Sequence, residues 1–302
     1  MFNILRPLVF KFSPEVAHSL AIKALKLNNI SYSKPKESHI LETTFCNKIL
    51  PSPIGVAAGF DKNAEVYNPL LNLGFGFVEV GTITPKAQFG NAKPRVFRLE
   101  EDEALINRLG FNNSGSDEIC NRIKENVKKG FLGINIGPNK DSTNRLEDYL
   151  ICFRKFYNLA DYITINISSP NTENLRNFHE ESKLRELLKS ILEKKKELKT
   201  KIPIVVKISP DIQQNQIEPI TEILLDNDIN AIIISNTSEA SRENLQNIQK
   251  HQKGGLSGKP IEKKSNFLIN KFYNLFKGKI KIIGVGGVDS GRAAYDKFLL
   301  GA

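Results

Sequence analysis

The residue types best suited to chemistry lie in Asn166-Ile-Ser-Ser-Pro-Asn171. Two asparagines bracket a serine pair, and Pro170 biases Ser169 towards an extended or turn conformation. Each asparagine side chain offers both a donor and an acceptor, the complement of a planar ring with alternating carbonyl and N–H groups. Asn107, Asn112, Asn113, Asn135 and Asn236 stand at or near the ends of other apolar runs. Any one of them alone reads as an ordinary turn former, but together on one rim they read as a ligand surface. Lys62 and Lys207 also close apolar runs, where an ammonium can neutralise a carboxylate or sit against an electron-rich ring. In Ile282-Ile-Gly-Val-Gly-Gly-Val-Asp-Ser290 a Gly-rich turn leads to a residue able to cap a helix, so backbone N–H groups there can cradle a phosphate. Gly254-Gly-Leu-Ser-Gly258 is its companion. Neither spacing matches a dinucleotide fingerprint or a Walker lysine motif, which points to a phosphate handle on a larger cofactor.

Seven short apolar runs position these groups: Ile54–Ala57, Phe77–Val80, Leu132–Ile136, Tyr162–Ile167, Ile204–Ile208, Ala231–Ser235 and Ile280–Val285. Helix-length segments separate most of them, the pattern of parallel strands buried on both faces and hence of an α/β fold. Polar or glycine residues follow nearly every run at its C-terminal end. A doubly wound sheet would gather its ligand groups at one switch point, so this spread predicts a (β/α)8 TIM barrel. Only seven runs precede Ala302. The eighth strand and helix are therefore expected to be missing, leaving the first and last strands as exposed, association-prone edges.

Ahead of the barrel (39–302), residues 1–38 read as an amphipathic helical hairpin. The first segment carries Phe2, Ile4, Leu5, Leu8, Val9, Phe10 and Phe12. The second opens with Ser13 as N-cap and Pro14 at the first helical position, and is expected to bury Val16, Ala17, Leu20, Ala21, Ala24 and Leu27. Polar Ser31 to Ser38 then breaks the pattern. Arg6, Lys11, Lys23 and Lys26 outweigh Glu15, so the hairpin reads either as packing on the main domain or as a membrane-surface anchor and a mouth for a greasy ligand. No apolar run approaches the roughly 18–20 residues of a transmembrane helix. Arg6 and Lys11 also interrupt any signal-peptide core.

Composition agrees with a globular protein: of 302 residues 40% are hydrophobic and 25% charged, which excludes disorder, collagen and a coiled-coil rod. Cys46, Cys120 and Cys152 are far apart and odd in number, and the four histidines are scattered, so neither a disulfide framework nor a metal site is expected. The net charge of +10 invites nucleic acid or an anionic membrane as partner. Its densest stretch, Lys183 to Lys201, interleaves with Glu186, Glu193 and Glu197 around helically spaced Leu184, Leu187, Leu188, Ile191 and Leu192. That stretch reads as one amphipathic surface helix.

Taken in order, the motifs resemble those of dihydroorotate dehydrogenase. They are Ala57-Ala-Gly-Phe-Asp-Lys62, Glu79-Val-Gly-Thr82, Pro94-Arg-Val-Phe-Arg98, Asn107-Arg-Leu-Gly-Phe-Asn-Asn113, Gly133-Ile-Asn-Ile-Gly137, Asn166-Ile-Ser-Ser-Pro-Asn171, Val206-Lys-Ile-Ser-Pro-Asp211, Ser235-Asn-Thr237, Gly254-Gly-Leu-Ser-Gly258 and Gly284-Val-Gly-Gly287. The likeness runs from residue 13 to the end. The helical hairpin, and serine rather than cysteine at position 169, resemble the quinone-linked, membrane-associated class.

The resemblance implies FMN as cofactor, held at Ala58, Gly59, Phe60, Asp61, Lys62, Thr82, Asn135, Asn166, Lys207, Ser235, Gly258 and Gly287. It implies dihydroorotate or orotate at Lys62, Asn107, Arg108, Leu109, Gly110, Phe111, Asn166, Asn171, Asn236 and Thr237. Ser169 falls on the catalytic base, Thr172 and Phe111 lie near the proton's exit path, and His18 and Arg98 lie by the quinone tunnel. No metal and no nucleic acid are implied. The resemblance further implies a monomer held peripherally on the cytoplasmic side of the inner membrane, oxidising dihydroorotate for pyrimidine synthesis. Ser235 stands where the family usually has threonine, keeping the hydroxyl. The family's last strand, with its hydroxyl pair for the FMN phosphate, does not follow Ala302, so weak FMN binding and poor solubility are expected of these 302 residues. A rival flavin barrel acting on tRNA would give the basic charge a purpose but calls for a cysteine in a strand-end loop. A second rival is an inactive, membrane-bound remnant.

Overall fold

The computed structural model describes residues 2–27, 38–240 and 242–302, without the side chains of residues 2–5 and 38. The polar break expected over Ser31–Ser38 lies, apart from the Ser38 backbone, outside the described residues. The chain opens with α1 (Phe2–Val9), α2 (Pro14–Leu27), β1 (Thr43–Phe45), β2 (Lys48–Leu50), β3 (Gly55–Val56), α3 (Tyr67–Asn72) and β4 (Phe77–Ile83). There follow β5 (Val96–Leu99), β6 (Ala104–Asn107), α4 (Ser116–Glu125), β7 (Phe131–Ile136), α5 (Arg145–Phe156), β8 (Tyr162–Asn166) and α6 (Glu181–Glu197). The last part holds β9 (Ile204–Lys207), α7 (Gln214–Asp226), β10 (Ala231–Ile234), β11 (Gly255–Gly258), α8 (Glu262–Phe276), β12 (Lys281–Gly284) and α9 (Gly291–Leu299).

Each of the seven apolar runs coincides, in whole or in part, with one strand of a single parallel sheet, in the order β12-β10-β9-β8-β7-β4-β3. Every residue of β7, β8, β9 and β10 is buried, which is why these strands read as continuous rather than alternating apolar runs. The sheet curls as a barrel does. Among the described residues β3 and β12 are its two ends and do not pair with each other. Outside it, α6 buries Leu184, Leu187, Leu188 and Ile191 as the helical spacing requires, and ends at Glu197.

Two features were not anticipated from the periodicity. Hairpin β1–β2 places Phe45 edge-on to Phe131 and Tyr162, at 5.8 and 5.6 Å between ring centroids. Those partners begin β7 and β8, so the hairpin stops the N-terminal mouth of the barrel. A second, antiparallel sheet in the order β11-β6-β5 stands over the opposite mouth.

Helices α1 and α2 form where expected, with the Ser13 carbonyl accepting the first α2 hydrogen bond from Ala17 N–H at 3.0 Å. Their orientation corrects the sequence reading. Val16, Leu20, Ala24 and Leu27 are exposed, and Ile22 is the buried residue of α2. Polar partners choose the inward face: Arg95 donates to Glu15 Oε1 at 2.9 and 3.0 Å, His18 bonds the Phe60 carbonyl at 2.7 Å, and Lys26 pairs with Glu65 at 2.5 Å. The apolar stripe is left pointing outward.

Candidate active site

The C-terminal ends of the sheet strands, the roofing β5–β6 sheet and α2 enclose a cavity of about 850 Å³. Ala58, Gly59, Phe60 and Lys62 line it from the β3 end, Thr82 from β4, and Asn166, Ser169 and Asn171 from the β8 end. Lys207 enters from β9, and Ser235, Asn236 and Thr237 from the β10 end. Asn107, Leu109, Gly110 and Phe111 enter from the segment after β6. His18 and Arg98 line the side facing α2.

Several expected site residues stand elsewhere. Asp61 is buried and its carboxylate accepts the Glu65 and Val66 N–H groups, both at 2.8 Å, so it shapes the turn that carries Lys62. Arg108 donates to Gln252 Oε1 and the Pro94 carbonyl, both at 2.9 Å, and ties loops together behind the wall. Gly258 and Gly287 are close-packing positions, where a Cβ would come within 2.4 Å of the Glu103 carbonyl and 2.5 Å of Glu262 Cβ. Thr172 is buried outside the cavity lining.

Asn135 lies fully buried beneath the floor and organises it. Its Oδ1 accepts from Thr82 Oγ1 at 2.6 Å and Asn166 Nδ2 at 3.1 Å, and its Nδ2 donates to Glu79 Oε1 at 2.9 Å. Thr164 Oγ1 donates to Glu79 Oε2 at 2.7 Å. Charge and dipole are thus fixed in place before any ligand enters, and inside a barrel such a network is rigid as well as satisfied. Glu79 stands in the Glu79-Val-Gly-Thr82 motif, but its spacing alone gives no sign of this role.

The two lysines meet this floor differently. Burial lowers the Lys207 pKa and the Glu79 carboxylate opposes the shift. Burial also lowers Lys62, to about 8, with Arg95 adding to the drop and Glu15 and Asp61 opposing it. Neither ammonium has a hydrogen-bond acceptor among the described residues, so both present unpaired N–H donors to one cavity. Such a site fits a ligand set with two electron-rich ends.

The loop carrying Ser169 is clamped from behind by residues that the sequence reading missed. Arg176 donates to the Ser168 carbonyl at 3.3 Å, the Thr237 carbonyl at 3.0 Å and Asp211 Oδ2 at 3.2 Å. Asp211 Oδ1 accepts from Ser238 Oγ and Lys264 Nζ, both at 2.6 Å. Burial pushes the Asp211 carboxyl up, but these donors more than offset it and its pKa is lowered. His179 completes the clamp: Nδ1–H donates to the Arg176 carbonyl at 2.8 Å, while Nε2 accepts the Ser209 N–H at 3.1 Å. Burial holds its pKa at about 4, consistent with a neutral ring in both roles. Behind the cavity wall, the fully buried Ser168 Oγ joins Asn166 Oδ1 at 2.7 Å to Asn236 Nδ2 at 2.8 Å. Among the described residues Ser169 Oγ accepts only the Asn171 N–H, at 3.2 Å.

The sequence model of the dihydroorotate dehydrogenase family matches residues 40–302. The chain belongs to the dihydroorotate dehydrogenase family. A relative named dihydroorotate dehydrogenase (quinone) from Idiomarina loihiensis is 44% identical over 315 residues, covering all of this chain and 93% of the relative. Another of that name from Agrobacterium fabrum is 44% identical over 299 residues, covering 97% of this chain and 82% of the relative. The crystal structure of DHODH in complex with ferulenol from Eimeria tenella superposes with a TM-score of 0.91 at 34% identity, covering 96% of this chain and 84% of that one. As a dihydroorotate dehydrogenase the chain is a flavin-dependent oxidoreductase that converts dihydroorotate to orotate in pyrimidine biosynthesis. The rival reading as a tRNA-modifying barrel finds no cysteine in the cavity wall: Cys120 and Cys152 are buried elsewhere, and burial pushes the Cys46 thiol up to about 11.

Proposed function

We propose that the flavin is FMN, that Ser169 is the base, and that electrons leave to a membrane quinone entering between α2 and the barrel. The observation that carries this reading is the pair of ammonium groups, Lys62 and Lys207, aimed without protein acceptors into one cavity whose floor and walls are Asn, Ser and Thr. Lys207, beside the buried Glu79–Asn135–Asn166 floor, suits the electron-rich end of a reduced flavin ring. Lys62 suits the substrate carboxylate, with Asn107, Asn166, Asn171 and Asn236 for the ring amides. The flavin supplies the acceptor for the hydride that leaves C6 of dihydroorotate. Ser169 takes the C5 proton as the C5–C6 double bond forms, passing its own hydroxyl proton on to water, since an unaided serine is a weak base.

The barrel would span 39–302, and residues 1–38 would deliver quinone. Among the described residues no helix is long and apolar enough to cross a membrane. The outward stripe of α2, with Lys11 and Lys23 exposed beside it, supports peripheral attachment to an anionic surface, in this reading the cytoplasmic side of the inner membrane. The purified chain, supplied with FMN, should show flavin absorbance that bleaches anaerobically on adding dihydroorotate, with one equivalent of orotate formed per flavin. Bound flavin that stays oxidised would overturn the reading.

The Lys62 assignment has its own pH signature. Its free-site pKa near 8 means the ammonium is complete below that value and lost above it. Orotate binding should therefore be level up to about pH 7 and roughly tenfold weaker by about pH 9. Lys62→Met should bind weakly at both values. Calorimetric titrations of the two proteins decide it, and equal pH slopes would remove Lys62 from the carboxylate site.

A further inference from the structure

The loop between β4 and β5 carries Phe89 at 97% exposure, above every other exposed large hydrophobic residue described in the chain. The loop that displays it is tightly held. Gln88 and Asn113 exchange backbone hydrogen bonds at 3.0 and 3.1 Å, and Asn91 N–H donates to the Leu109 carbonyl at 3.1 Å. Arg95 Nη1 donates to the Phe89 carbonyl at 2.5 Å and the Asn91 carbonyl at 3.0 Å. An aromatic residue carried on a backbone held this firmly costs little loop-ordering entropy on being covered.

Its surroundings say what covers it. Lys86 and Lys93 are exposed on the same loop, and Lys140 reaches it through Asn91 Oδ1 at 2.9 Å. No acidic residue occurs from Thr84 to Arg95. The guanidinium of Arg95 that holds the Phe89 carbonyl also holds Glu15 at the start of α2. Phe89 therefore stands beside the helix whose outward side shows Phe12, Val16 and Leu20 at 44–47% exposure, with Lys11 and Lys23 exposed beside them. Exposed apolar groups with lysines beside them, on a loop tied through Arg95 to an amphipathic helix, match the headgroup–acyl boundary of an anionic bilayer.

We propose that the Phe89 loop is a second membrane contact, seating its ring in an anionic bilayer alongside α2; this rests on the peripheral-membrane reading of α1 and α2. Two anchors on either side of Arg95 would fix the tilt of the protein and hold the α2 side of the cavity, lined by Glu15, His18 and Lys93, against lipid. The chain has no tryptophan, so Phe89→Trp and Leu20→Trp each give a single reporter. With vesicles of phosphatidylglycerol and phosphatidylcholine in equal parts, both reporters should shift their emission to the blue and be quenched by brominated acyl chains. Phe89→Ser in the flavin-loaded protein should partition into the same vesicles about tenfold more weakly, the equivalent of burying one phenylalanine, with dihydroorotate-driven flavin reduction unchanged. A shift at Leu20→Trp with none at Phe89→Trp, and wild-type partitioning of Phe89→Ser, would overturn the inference alone. No shift at either position would overturn the membrane reading and this inference together. A change of oligomeric state in Phe89→Ser with partitioning intact would make the loop a contact between copies, and the inference wrong.

Discussion

Ser169→Ala is expected to slow flavin reduction by dihydroorotate by about 10²–10⁴-fold, the range for loss of a positioned general base. Flavin absorbance and orotate affinity should stay close to wild type. The geometry separates these effects. Ser169 is 4% exposed, lines the cavity, and among the described residues its hydroxyl accepts one hydrogen bond, at 3.2 Å from Asn171 N–H. Its removal leaves the Lys62, Asn166 and Asn236 contacts untouched. The neighbouring Ser168 is the informative control, because its hydroxyl ties Asn166 to Asn236 rather than facing substrate. Ser168→Ala should weaken orotate binding more than it slows proton removal, giving a KM effect where Ser169→Ala gives a kcat effect. Anaerobic stopped-flow reduction measures both. A Ser169→Ala protein that keeps more than about a tenth of the wild-type reduction rate would place the base elsewhere.

The strands that carry the site were legible because parallel barrel strands are buried on both faces. β8 and β9 need apolar residues throughout, so a polar residue at the C-terminal end, Asn166 or Lys207, stands out against the run. What failed to show were short strands buried on one side only, whose apolar residues do not form a run. β1 and β2 have three residues each, of which only the last is buried, and β5 and β6 have four. The orientation of α2 was illegible for a different reason. Its apolar spacing is genuine, but the face turned inward is set by Glu15 meeting Arg95, 80 residues away, and by His18 meeting the Phe60 carbonyl, 42 away. The clamp behind Ser169 has the same character: Arg176, His179 and Asp211 become one unit only where the short helical turn Leu175–His179 meets the loop after β9. Lys62 and Lys207 could be named from their position in the chain. That they share a cavity without acceptors is a property of the assembled barrel.

Deleting residues 1–38 is expected to leave the first half-reaction nearly intact and to slow reoxidation by a long-chain quinone on the order of 10²-fold or more, the scale set by losing a positioned encounter between two reactants. The residues proposed to hold substrate lie at strand ends and in the segment after β6, none of which belongs to the hairpin. The hairpin instead supplies one wall, through Glu15, His18 and Ile22, and holds Arg98 by a 2.8 Å bond to the Phe12 carbonyl. His18 Nε2 faces the Phe60 carbonyl and must carry the proton to bond it, which leaves Nδ1 as an acceptor at the α2 wall. Without that wall a quinone loses its guided approach and the protein loses the outward stripe of α2, while a small water-soluble acceptor should still reoxidise the flavin. The fold should survive, because Arg95 keeps the Phe89 and Asn91 carbonyls after losing Glu15, and Ile22 is the one buried residue of α2. Separate stopped-flow measurements of reduction and reoxidation, with a dye and a long-chain quinone as alternative acceptors, distinguish the roles. Loss of flavin reduction in a truncated protein that remains folded would make the hairpin part of the substrate site, because only a wall that also shapes the dihydroorotate pocket could produce that result.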